Sequence, residues 1–415
     1  MPTSHQGPNH DIIISGAGYV GLAVAVAITQ AAPGLKVMMV DAAPEGAWRK
    51  DGRASAIAAA AVRMLQTLGA WEAIAPSAQP MTEMIVTDSR TSDPVRPVFL
   101  TFDGDVAPGE PFAHMVPNLA MTTRLRDLAL QAGVTIREGV AIAGFARSGG
   151  LTHLTTAQGE TLACRLAIAC DGVKSTLRDK AGIRSHRFDY DQAGIVGTVY
   201  HERPHGGRAE EHFLPAGPFA ILPLAPNDKG NRSSIVWVET QKDAARLCAE
   251  DPFVFEAELE MRFGHHLGAI RFDGTPRAYP LGLTLVREFV VDGLALAGDA
   301  AHGIHPIAGQ GLNLGFKDAA ALAQVIVEAH RLGEDIGSLG VLERYQQWRR
   351  FDTVRMGITT DVLTRLFSND IGPLRALRSF GLGLVDRMPK MKDYFIGQAS
   401  GLSKAGPRLL AGEMI

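Results

Sequence analysis

Apolar residues fall into two kinds of run along this chain, and these predict two kinds of layer. Asp11–Ser15, Lys36–Val40, Leu166–Ala169 and Leu294–Ala297 are short apolar runs that stop at Gly or Asp, as buried strands do. Gly194–His201, Glu211–Leu214, Phe219–Leu224 and Ser233–Glu239 are short β-prone runs separated by Gly, Pro and Asn turns, which predicts a mostly antiparallel sheet. Helical spacing follows Gly21, recurs around Ala56–Leu68 and through Met121–Ala132, and covers Pro252–Gly264. It returns over 317–350 and along the tail, 351–415.

The strand ends carry the candidate chemistry. Gly16-Ala17-Gly18-Tyr19-Val20-Gly21 follows the first strand and opens an Ala/Val-rich helix, and Asp41 ends the next strand twenty residues past Gly21. Strand, GxGxxG, helix, strand and acid in that order form a dinucleotide fingerprint: the glycines allow a tight turn and close phosphate approach, and the acid accepts from a ribose hydroxyl. An adenine dinucleotide is therefore expected. Residues 294–313, LALAGDAAHGIHPIAGQGLN, form a second signature. Gly298-Asp299 sets a carboxylate at the sheet edge, within reach of ribityl or ribose hydroxyls. Gly309-Gln310-Gly311 lets backbone N–H groups approach a ligand, and the helix starting near Asn313 points its positive end at an anion. Between them, Cys170-Asp171-Gly172-Val173-Lys174-Ser175 leaves another apolar strand; taken alone it is an ordinary turn.

In this order the three motifs resemble the flavin-dependent aromatic hydroxylases of the para-hydroxybenzoate hydroxylase type. Asp51–Ile57, Gly217–Leu224, Tyr279-Pro280-Leu281 and the extended GDAAH segment are most similar to the ubiquinone-biosynthesis hydroxylases of the UbiH and UbiF group, over nearly the whole chain. The resemblance implies non-covalent FAD, NAD(P)H as co-substrate, O2 as the oxygen source, and a polyprenylated phenol or quinol precursor as substrate. It implies that Gly16, Gly18 and Gly21 line the pyrophosphate turn and Asp41 holds the adenosine ribose. Arg53 would reach toward the pyrophosphate. Arg124, taken to begin a helix, would lie near the cofactor. Asp171 would lie near the pyrophosphate and the nicotinamide approach, and Gly298 and Asp299 at the ribityl chain. Pro306, Gly309, Gln310, Gly311, Leu312 and Asn313 would face the flavin ring, with no acid or base residue assigned. Phe219, Ile221, Leu222 and Pro223 would line the substrate site. Asp41 stands where glutamate is frequent, and Cys170 where alanine is frequent; an aspartate still accepts ribose hydrogen bonds.

The expected fold is α/β: a Rossmann-like FAD-binding domain with an inserted, mostly antiparallel β-sheet substrate domain and a C-terminal helical tail. The FAD-binding part would use residues 11–79, 116–184 and 286–350, the substrate part 80–115 and 185–285, and the helical region 351–415; residues 1–10, polar throughout, read as a disordered leader. A net charge of −3 without a basic block argues against nucleic acid. Three cysteines with no CxxC pair, and histidines without ligand spacing, favour a reducing cytoplasm and no metal. His302, in a predicted turn among small residues, reads as a structural histidine rather than a base.

Two other readings stay open: a monooxygenase of a small soluble aromatic or secondary metabolite, and a flavoprotein scaffold of a biosynthetic complex. Residues 371–392 carry Arg375, Arg378, Arg387, Lys390 and Lys392 beside an apolar stripe. Such a segment either docks peripherally on the inner membrane or on other ubiquinone-biosynthesis proteins, or packs on its own domain.

Overall fold

The computed structural model describes residues 10–90, 96–103, 105–304, 310–350, 400–402 and 406–415. Pro306, Gly309 and the basic segment at 371–392 lie outside these residues, as does most of the tail expected to be helical.

The apolar runs pair as a six-stranded sheet in the order Thr135–Glu138, Val37–Asp41, Ile12–Ser15, Leu166–Ala169, Leu294–Leu296, Val290–Val291. The first five strands are parallel, and the last closes an antiparallel hairpin. Ile12, Ile13, Ile14, Leu166, Ile168, Leu294 and Leu296 are wholly buried, as strands covered on both faces must be. Helices Tyr19–Ala31 and Gln310–Arg331 pack into the same core, so their Ala-rich faces approach closely. The chain is helical again over 339–350, and Leu409, Leu410 and Ile415 return to this core.

The β-prone runs form a nine-stranded, largely antiparallel sheet. Its strands are longer than the sequence runs suggested: Ser185–His201, Gly217–Asn227 and Gly230–Thr240 continue through polar residues because each is paired on both sides. Residues 83–103 join it through Glu83–Asp88, parallel to Arg208–Leu214, and Val98–Asp103. One face carries Ile195, Phe219, Ile221, Ile235 and Trp237 under helices Gln241–Ala249 and Pro252–Phe263. The other face looks into the cleft described below.

Two helix expectations need correction. Ala54–Ala58 is a strand, paired with Ala113–Pro117, and the helix begins only at Ala59. Alanine suits either state, and pairing outweighs its helix propensity here. The helix expected from Met121 begins at Asn118, so Arg124 lies inside it and does not begin it. Among the described residues, no helix is long and apolar enough to cross a membrane.

Candidate active site

Parallel pairing brings the three motifs together. Ser15, Asp41, Ala169 and Leu296 end neighbouring strands, so Gly16, Asp41, Cys170 and Gly298 lie together at one edge of the sheet. Gly16 has φ +104°, and a Cβ there would meet the Cys170 carbonyl oxygen at 2.3 Å. A Cβ on Gly21 would meet the Gly16 carbonyl oxygen at 2.2 Å. Gly18 is different: nothing lies within 4 Å of its Cβ position, so the start of the helix opens onto empty space. Asp41 braces this turn, its Oδ2 accepting from Ala17 N at 2.7 Å and its Oδ1 from Ala43 N at 2.7 Å.

From this turn a cleft of about 840 Å³ runs past Arg53, Asp299 and Asn313 to Leu222 and Val238 of the large sheet. Arg53 forms a two-pronged pair with Asp51, at 2.8 Å for both Nε and Nη2. Burial alone would raise the Asp51 carboxyl, but the Arg53 hydrogen bonds and charge outweigh it and hold it below the usual range. Asn118 joins the cluster, donating to Asp51 and accepting from Ser55 at 2.8 Å. Asn313 fastens the far wall: its Oδ1 accepts from Ala58 N and its Nδ2 donates to the Ala56 carbonyl, both at 2.9 Å. Gly311 and Leu312 line the cleft beside it.

Asp299 keeps accessible surface, yet it sits so deep between the cleft walls that desolvation raises its pKa. Asp171 lies on the other side of the Gly16–Gly18 turn, in a smaller cavity of about 420 Å³ shared with Asp41 and Lys174. Its Oδ2 accepts from Leu177 N at 3.3 Å, while its buried Oδ1 has no partner among the described residues, and burial raises the carboxyl.

The structure does not bring every expected residue to the cleft. Arg124 donates to the Gly69 carbonyl at 3.0 Å and is not among the cleft-lining residues. Phe219 and Ile221 point away, into the helix-covered core, and Phe219 packs edge-on against Trp237. A strand alternates its faces, so Pro218, Ala220 and Leu222 line the cleft while Phe219, Ile221 and Pro223 cannot. The apolar run alone does not fix that parity; the register does, with Ala220 opposite Val236.

Three buried groups escaped the sequence reading. Asp318, fully buried, accepts from His302 Nε2 at 2.5 Å, from Arg349 Nε at 2.8 Å and from Gly298 N at 2.9 Å. Burial opposes its charge, but His302 and Arg349 hold its pKa below the ordinary value. His302 is thus a structural partner that fixes the Gly298-Asp299 turn. Arg178 straps two motif loops together by donating to the Val173 and Ala300 carbonyls at 3.0 and 3.3 Å. Glu211, the first residue of the β-prone run Glu211–Leu214, lines the cleft. Asp318 lies one helical turn past the apolar Leu314, which places it on the core side; nothing local marks Arg178 or Glu211.

The site fits an extended, anionic dinucleotide with a polar chain and a flat ring. The Gly18 approach is open, Asp41 and Asp299 offer acceptors, and Asp171 Oδ1 awaits a donor.

A family model described as an FAD binding domain matches residues 9–351. The chain is 42% identical to a ubiquinone hydroxylase, UbiL, of Rhodospirillum rubrum over 97% of this chain and 92% of that protein. It is 33% identical to the 3-demethoxyubiquinol 3-hydroxylase of Escherichia coli, over 94% of this chain and 98% of that one. The p-nitrophenol 4-monooxygenase of Pseudomonas putida superposes with a TM-score of 0.77 over 95% of this chain and 99% of its own, at 18% identity, which speaks to the fold alone.

Proposed function

This chain belongs to the UbiH/UbiL-type family of FAD-dependent ubiquinone hydroxylases, and we propose that it hydroxylates the ring of a polyprenylated phenol, with NAD(P)H as reductant and O2 as oxygen source. The observation that carries this reading is the continuity of the cleft: a dinucleotide turn at one end opens without a break onto an apolar sheet face at the other. When bound, FAD supplies the redox chemistry, taking electrons from NAD(P)H and activating O2. The protein's tasks are to hold, orient and desolvate.

In this proposal Gly16, Gly18 and Gly21 admit the pyrophosphate, and Arg53, exposed at the cleft, contributes charge while Asp51 and Asn118 fix its direction. Asp41 and Asp299 take ribose and ribityl hydroxyls. Asp171, at the back of the turn, has a support role. Gly311, Leu312 and Asn313 border the ring, with backbone N–H groups at the start of the long helix facing developing negative charge. Met81, Met84, Phe112, Ala220, Leu222 and Val238 give the other half an apolar lining suited to a prenyl tail. Arg187 also lines it, but its Nε pairs with Asp189 at 3.0 Å, which weakens the case for a small acid.

The test is mass spectrometry of the quinone intermediates in cells lacking this chain. Accumulation of a prenylated phenol one hydroxyl short supports the reading. A normal quinone profile, with loss of growth on a small aromatic, overturns it.

A further inference from the structure

We propose that Glu211 recognises the ring hydroxyl of the phenol and accepts its proton while oxygen is added to the ring; the proposal rests on the substrate class inferred above. The sheet register carries the argument. Val196 faces Val236, Val236 faces Ala220, Ala220 faces Glu211, Glu211 faces Val86, and Val86 faces Leu100. Residues directly opposite share a face. Glu211 is thus one ionisable group in a row of six side chains, on the face that lines the cleft.

It is 6% exposed, and among the described residues no donor reaches its carboxylate. Its chain neighbours point the other way: Glu210 meets His266 at 2.9 Å and His212 meets Thr87 at 2.6 Å. On its own face the charged groups are Asp88, two residues along from Val86, Arg187, which pairs with Asp189, and, farther along the sheet, Arg232 opposite Leu224 and Arg271 and Asp273 opposite Tyr200 and Thr198. Arg53 and Asp299 stand on the cofactor wall of the same cleft. A carboxylate buried without a partner is costly, and a substrate hydroxyl would supply the missing donor. Burial pushes its pKa up to about 7, which makes it a stronger base than a solvated carboxylate and matches it to neutral pH.

The step balances. As the ring carbon ortho or para to the hydroxyl bonds oxygen, the phenolic O–H becomes strongly acidic. Its proton passes to a Glu211 oxygen, and the O–H electron pair becomes the second bond of a ring carbonyl. The attacked carbon then loses its own proton to water, the ring regains aromaticity, and the carbonyl oxygen takes the proton back from Glu211. One oxygen atom of O2 enters the ring. The other leaves as water, with two electrons from NAD(P)H.

The experiment uses the full, FAD-loaded chain with 2-allylphenol and its methyl ether, 2-allylanisole. Binding is read from the change in flavin absorbance, with FAD content and thermal unfolding as controls on folding. The parent should bind the phenol at least about tenfold more tightly than the ether, as for a hydrogen bond to a charged group. Glu211→Leu should still bind the ether but lose that preference. Glu211→Gln, which keeps the shape, should leave KM within a few-fold. Its kcat should fall by about a hundredfold or more, and the acidic limb of the kcat profile near pH 7 should vanish. A parent without the preference, a Glu211→Leu variant that keeps it, or a Glu211→Gln variant with parental kcat and pH profile overturns the role. If the parent hydroxylates only small soluble phenols, the substrate reading fails, and the same phenol–ether comparison on such a phenol still decides the role of Glu211.

Discussion

The two walls of the cleft are built on different principles. The wall at the edge of the parallel sheet is made of backbone: positive-φ glycines, carbonyls within 2.3 Å of where a side chain would begin, and loops tied by Asp41, Asp318 and Arg178. The wall on the large sheet is made of side chains in cross-strand rows, mostly apolar, with Glu211 and Arg187 as its ionisable members. The first wall tolerates almost no change of residue, because backbone clashes cannot be relieved by rotamers. The second tolerates many changes of stability-neutral kind, and each one alters what binds.

If that contrast is sound, damage to the first wall should appear as lost folding or lost FAD. The largest effect is expected at Asp318. Asp318→Ala removes the buried carboxylate that Arg349 and His302 share and should cost about 3–5 kcal/mol, read by denaturant unfolding. The sign of its pH dependence follows from a lowered carboxyl: the stabilisation is present above the unfolded value of 3.8 and is lost as pH falls through the lower folded value. The gap between parent and Asp318→Asn should therefore narrow in acid and stay constant through neutrality.

Phe219→Ala and Leu222→Ala, three residues apart on one strand, should separate the two faces. The first empties a wholly buried site under Trp237 and should cost about 3–5 kcal/mol with substrate affinity little changed. The second should leave the unfolding midpoint nearly unmoved and raise the KM for a prenylated phenol. Equal effects on both readouts would mean that the faces are assigned wrongly. Gly16→Ala forces a strained φ and a backbone clash and should cost about 2–3 kcal/mol, with FAD content falling in step. Gly18→Ala should be milder in stability, since its Cβ enters open space, while FAD affinity still drops. The smallest expected difference lies between two acids. Asp299→Ala should weaken FAD more than Asp171→Ala, by about tenfold, because Asp299 opens onto the cleft and Asp171 already serves Leu177 N. Titration of each apoprotein with FAD decides the order.

The same contrast explains what could be read from the sequence. Gly16 and Gly21 are constrained by the backbone packed against them, and Gly18, Asp41 and Asp299 stand at fixed spacings from strand ends, so the spacing announces them, and parallel pairing then gathers them at one edge. Leu222 and Glu211 owe their place on the cleft to register. Phe219 and Ile221 look as suitable as Leu222 in the one-dimensional run, and only the pairing of Ala220 with Val236 and Glu211 separates the two faces. Arg178 and Asp318 were hidden for a further reason: each acts on a loop more than twenty positions away or closes a network whose other members are distant in the chain. Ala56–Ala58 was misread as the start of a helix because alanine carries no strand signal until a partner strand is present.

The proposed function requires one cleft to join an FAD-binding edge to a face that takes a prenylated phenol. The direct measurement is turnover of a short-chain prenylphenol by the FAD-loaded protein with NAD(P)H under isotopically heavy dioxygen, followed by mass spectrometry of the product. The expected product is a ring hydroxyl carrying one heavy oxygen atom, formed faster as the prenyl chain lengthens, and slowed by bulk introduced at Ala220 or Val238. A product whose new oxygen comes from water, or a rate that falls as the prenyl chain grows and is indifferent to Ala220 and Val238, would contradict the proposed function.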